Sequence, residues 1–138
     1  MNRPILVIPC SGIGKVYGTV GRDAALQVVE ELRPGATETM CLSLLVMGDE
    51  EARRRVQGAQ TVTIDGCALA CARKNVEMAG GQVGAAVMVL DVYRRHRHLK
   101  SQAVTFLDEN GQELANRVAE ETVRAIDALH DGRGDDHA

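Results

Sequence analysis

Aromatic residues are nearly missing from this chain, which has no tryptophan, one phenylalanine and two tyrosines among 138 residues. With so few rings there is little on which unpaired bases could stack, so nucleic acid is not an expected partner. An excess of positive charge is missing too. The formal charge of −3 offers no general attraction to nucleic acid or to an anionic membrane. No apolar run approaches the length that spans a bilayer, so no membrane association is expected. The first ten residues hold too short an apolar stretch for a secretory signal and read as a buried strand. The expected location is cytoplasmic, where thiols stay reduced and clustered cysteines favour metal or redox chemistry over structural disulfides.

What is present is an ordinary globular composition, 45% hydrophobic and 25% charged, in a length that fits one domain with a real core. Residues 5–8 form a continuous apolar run, as in a strand covered on both faces. A glycine-rich segment follows, Ser11-Gly12-Ile13-Gly14-Lys15, and then apolar positions at helical spacing over 22–32, closed by Pro34-Gly35. Residues 37–41 read as a second strand, and Asp49 caps a polar helix over 50–57. The β-branched run 61–64 reads as a third strand, 67–78 as a helix closed by Gly80-Gly81, and 85–90 as a fourth strand.

Beyond these lie a basic stretch at 94–100, a short extra strand at 103–107, a turn at Asn110-Gly111 and an amphipathic helix over 113–130. Strands alternating with helices predict a single three-layer α/β domain at 1–131. Its central sheet is mostly parallel, with four or five strands flanked by helices, and a flexible tail follows at 132–138.

Cysteine supplies the candidate chemistry. In an open parallel sheet, ligands sit outside the carboxyl ends of the strands. Cys10, Cys41 and the Asp65-Gly66-Cys67 turn all fall on that edge, and Cys71 stands four residues beyond Cys67. On a continuous helix those last two sulfurs share one face, and Cys67 gains from the helix N-terminus. Four thiolates suit zinc; the alternatives are an iron–sulfur cluster with electron transfer, or a thiol redox relay. Ser11, Gly12, Gly14 and Lys15 are placed to brace such a site or to hold an anion, as are Asp65 and Gly66. Asp65 could do so by accepting backbone N–H bonds, while Arg73 and Lys74 offset charge. Inert burial is the competing reading for any one cysteine.

Sharper motifs fail. There is no CxxC pair, Val16 stands where a Walker A loop needs Ser or Thr, and the same residue stands where a small phosphatase loop needs Arg. His96 and His98 alternate in the basic stretch and read first as a solvated loop. Met40, Met47, Met78 and Met88 read as packing residues, and Tyr17 as a core or cleft residue.

The run 64–74, Ile-Asp-Gly-Cys-Ala-Leu-Ala-Cys-Ala-Arg-Lys, resembles the DGC-domain family, named for its central Asp-Gly-Cys. Pro9-Cys10-Ser11-Gly12 and Cys41-Leu42 match as well, and the resemblance covers about residues 5–90. It implies a zinc-binding protein with a four-cysteine site and does not specify a reaction. A metal carrier or sensor is one expectation, with a protein partner or a homodimer as a further one.

Overall fold

The computed structural model describes residues 3–10, 16–66, 68–102 and 106–136. The chain runs β1 (Ile5–Pro9), α1 (Val16–Gln27) with a π-helical extension (Val28–Leu32), β2 (Thr37–Thr39), α2 (Leu42–Met47) and α3 (Glu50–Gln57). It continues with β3 (Gln60–Asp65), α4 (Cys71–Met78), β4 (Gln82–Met88), α5 (Val89–Arg95) and α6 (Glu109–Asp136). All strand pairs are parallel and the order is β2-β1-β3-β4. The four-stranded, three-layer α/β architecture is therefore the one expected from the sequence.

The order explains the layers. From β1 the chain steps outward to β2, then returns across β1 to β3 and continues to β4. With right-handed crossovers, a reversal of direction puts the connecting helices on opposite faces. Side chains follow, because successive strand residues point to opposite sides. Ile5, Val7, Val62 and Ile64 pack with α1, α5 and α6 through Val20, Ala24, Val92, Leu114, Val118 and Ile126. Leu6, Ile8 and Cys10 pack with α2, α3 and α4 through Leu42, Leu45, Val56, Ala72 and Val76.

Local signals set most boundaries. Asp49 accepts the Ala52 N–H at 2.9 Å and caps α3, which begins with Glu50 and Glu51 and ends with Arg54 and Arg55. Gly48, at φ 81°, closes α2 in the left-handed conformation that suits glycine. Arg33 ties the first layer together with paired bonds to Asp127 of α6, at 2.9 and 2.7 Å.

Several expectations change. The run 85–90 is not all strand: β4 begins earlier, at Gln82, and gives way to α5 at Val89. Val89 and Val92, three apart, are both buried on the helix, and an apolar strand has the same composition. The second strand, expected over 37–41, ends at Thr39, and residues 42–47 form α2. Asn110-Gly111 is not a turn but lies in the first turn of α6, where Asp108 accepts the Gly111 N–H at 2.8 Å and overrides the local turn preference. That helix continues through the polar residues 132–136. Of the extra strand at 103–107, residues 103–105 lie outside the described residues, and Phe106 and Leu107 are not in a strand. No described helix is long and apolar enough to cross a membrane.

Central strand β3 carries an unusual stripe. Thr61 and Thr63 are fully buried, and neither hydroxyl has a hydrogen-bond partner among the described residues. An unpartnered buried hydroxyl costs about 1–3 kcal/mol. Thr63→Val, which trades that hydroxyl for a methyl of similar shape, is expected to raise the unfolding free energy by about 1 kcal/mol. A denaturant midpoint that falls would show that the hydroxyl is satisfied.

Candidate metal centre

Reversal of the strand order creates one special place on the sheet. The helices that follow the adjacent strands β1 and β3, α1 and α4, lie on opposite faces, and the carboxyl ends of such a strand pair are where an open parallel sheet binds its ligands. Cys10 is the first residue after β1. Its N–H donates to the Ile64 carbonyl at 2.9 Å, which extends the β1–β3 ladder past the last strand residue. Its Sγ accepts the Gly66 N–H at 3.3 Å, and the side chain is buried beside Met40, Leu42 and Ala72.

Asp65 ends β3 on the same face as Cys10. It is 2% exposed, and its two carboxylate oxygens accept the N–H groups of Ala72 at 2.7 Å and Arg73 at 3.1 Å. These are otherwise unpaired first-turn donors of α4, so Asp65 caps the helix from the strand end. Burial pushes the Asp65 carboxyl above its ordinary range, opposed by the two N–H bonds and by the charges of Arg73 and Lys74. Arg73 also lies 3.7 Å from Glu77, an exposed pair of little energetic weight.

This cap corrects one expectation. The helix begins at Cys71, and residues 68–70 before it are not helical, so 67–78 is not one continuous helix. It is Cys71, exposed at the first helical position, that stands at the N-terminus. The preceding Ala70 has φ 51° and ψ 49°, and among the described residues it is the one non-glycine with positive φ. A left-handed alanine costs about 1–2 kcal/mol and has no sequence signature, since glycine or asparagine is usual there. It stands between the turn at Ala68-Leu69 and the start of α4 that Asp65 caps.

Cys41 follows β2 and immediately precedes α2, exposed, with Sγ 2.8 Å from Ser43 Oγ. The Ser43 hydroxyl and N–H draw the Cys41 thiol below its ordinary range, with a smaller opposing effect of burial. The Cys-x-Ser spacing ahead of a helix is the sequence signal for this contact, one that strand-end reasoning passes over.

Cys10, Cys41 and Cys71 thus stand on the carboxyl side of the sheet, where α2 packs against α4. Among the described residues, no group of three or more His, Cys, Asp or Glu is gathered tightly enough to hold a metal ion. Cys67, Ser11, Gly12, Gly14 and Lys15 lie outside the described residues. Gly66 packs against the start of α1, where a Cβ would meet Tyr17 Cβ at 3.2 Å and Gly18 N at 3.3 Å. Tyr17 packs against the α1–α6 layer, its ring 5.7 Å from that of Tyr93, and burial pushes its hydroxyl pKa up. Met40 is buried near Cys10, but Met47 and Met78 are 77% and 79% exposed, contrary to the packing role expected of them.

The donor set is a sulfur set. Among the described residues Asp65 is the one buried carboxylate, and both its oxygens are taken by N–H groups. Thiolates are the ligands that zinc and iron–sulfur clusters select. Residues 6–126 match the family model of the DGC domain. No curated protein and no solved structure matches the chain.

Proposed function

We propose, for a chain that belongs to the DGC-domain family, that Cys10, Cys41, Cys67 and Cys71 together hold one zinc ion. The observation that carries this reading is the position of Cys10. It is a buried thiol at the β1/β3 switch point that accepts an N–H from the residue preceding Cys67. Cys41 and Cys71 lie on the same carboxyl side of the sheet, both exposed. Four sulfurs close a tetrahedral zinc site and leave no position for substrate, so the role is structural, or that of a carrier or sensor, rather than hydrolytic. Two exposed ligands favour exchange over permanent burial.

Elemental analysis of protein purified without oxygen and without a histidine tag tests this. Near one zinc per chain is expected, with retention strongly reduced in both Cys10→Ser and Cys71→Ser. Iron in place of zinc would transfer the same cysteines to a cluster. Metal content unchanged by both substitutions would end the shared-site reading.

A second reading has one observation of its own, the exposed Cys41 thiol drawn down in pKa by Ser43. Such a thiol is reactive as a redox group. Metal-free protein whose thiol count falls by two under mild oxidation, and recovers on reduction, would favour that reading over zinc.

A further inference from the structure

Cys10, Cys41 and Cys71 are held in three different ways. Cys10 is buried, and its Sγ accepts the Gly66 N–H at 3.3 Å. Cys41 is exposed, but its Sγ lies 2.8 Å from the Ser43 hydroxyl, and the Ser43 N–H bonds to it as well. Cys71 is exposed too. Among the described residues its sulfur takes no hydrogen bond, and the Asn75 side-chain amide donates to its carbonyl instead, at 2.8 Å.

The bare sulfur is a consequence of how α4 starts. A helix N-terminus ordinarily offers free N–H groups to a thiolate placed there. Here the Ala72 and Arg73 N–H groups go to Asp65, at 2.7 and 3.1 Å, and the Lys74 N–H goes to the Ala70 carbonyl at 2.9 Å. The three donors that follow Cys71 are therefore all taken. The carboxylate that caps the helix leaves its first sulfur without a partner.

A hydrogen bond to a ligand sulfur draws on the electrons that the sulfur would offer to a proton or an electrophile, and so lowers its nucleophilicity. Burial adds a barrier of access at Cys10. Cys71 has neither protection. We propose that Cys71 is the exchange ligand of the site, the sulfur that first lets go when the metal is passed to another thiol. This rests on the zinc reading and adds to it the order of release. The acceptor is a molecule that offers a thiol. Its sulfur takes the position that Cys71 leaves, one metal–sulfur bond forming as the other breaks. The proton that the incoming thiol gives up is balanced by the one that Cys71 takes from solvent. Cys10 and Cys41 stay as anchors, held by Gly66 and Ser43.

The test is limited alkylation of the full chain with iodoacetamide, zinc-loaded and metal-free. Labelled cysteines are identified by peptide mass, and freed zinc is followed with a chromogenic chelator. Each alkylation joins sulfur to the methylene carbon of the reagent, expels iodide and replaces a thiolate ligand by an uncharged thioether. For each cysteine, the metal-free rate divided by the loaded rate measures its protection by zinc. Protection is expected to be smallest at Cys71, about tenfold below Cys10 and Cys41, the factor that one hydrogen bond carries. Zinc release is expected to keep pace with labelling of Cys71. Ser43→Ala is expected to reduce protection at Cys41 by a similar factor, and Ser43→Thr, which keeps the hydroxyl, to preserve it. Matching thermal melts exclude misfolding of either variant. Least protection at Cys10, Cys41 or Cys67, or zinc release that does not follow labelling of Cys71, would overturn the proposal and leave the zinc reading standing. No protection by zinc at any cysteine would end both.

Discussion

Asp65→Ala is expected to lower the unfolding free energy by about 3 kcal/mol, with a clear fall in the denaturant midpoint. Both oxygens of this carboxylate accept N–H groups from the first turn of α4, and Ala72 is fully buried. Removing the acceptor strands the buried Ala72 donor, at about 1–3 kcal/mol, and the part-buried Arg73 donor at a smaller cost. Part of that loss is returned, because a carboxylate pushed up in pKa by burial is itself held at a cost. Asp65→Asn keeps one acceptor but turns an amide NH₂ toward the second donor, so about half the loss is expected. Amide exchange at Ala72 and Arg73 accelerates with the loss of the cap. An unchanged midpoint in Asp65→Ala would refute the capping role.

Gly66→Val is the second large effect, about 3 kcal/mol of destabilisation, with about 1 kcal/mol for Gly66→Ala. A Cβ at this position meets Tyr17 Cβ at 3.2 Å and two backbone atoms of α1, Tyr17 C and Gly18 N, at 3.3 Å. Backbone cannot swing aside as a side-chain tip can, so α1 or the loop must shift, and valine adds two further methyls. Displacing residue 66 also withdraws the N–H that Cys10 Sγ accepts. Faster alkylation of Cys10 in metal-free Gly66→Val than in the parent is the accompanying readout. Equal stability of glycine and valine variants would show the approach of α1 to be loose.

The central motif therefore has a separable physical reason for its first two residues. Aspartate starts α4 from a distance, and glycine lets α1 pass close to the strand end. Much of the surrounding fold is legible because its signals are local. Asp49 and the charge gradient of α3 act within a single turn, and the apolar strands are written in β-branched runs. What escapes the sequence is decided at long range. The start of α4 is fixed by a carboxylate six residues earlier, and the stretch Ala68-Leu69-Ala70 is helix-forming by composition yet stays outside the helix. Ala70 in a left-handed conformation and the change from strand to helix at Val89 depend on tertiary packing that overrides propensity. For the candidate site, the strand-end placement of Cys10 is readable in advance, whereas the start of α4 at Cys71 is not.

An all-parallel sheet with the order β2-β1-β3-β4 contains no hairpin, so none of its strand pairs can zip from a tight turn. The bond from Gly66 to Cys10 spans 56 residues, and it forms only after the chain has gone out through β2 and come back. Contacts that distant along the chain carry a loop-closure cost before they return any energy, and folds dominated by them assemble slowly. During synthesis, Cys10 emerges from the ribosome well before the strand that shelters it, and its thiol waits exposed through that interval. Protection of Cys10 is thus a late event in the life of each newly made chain, reached only when β3 has docked.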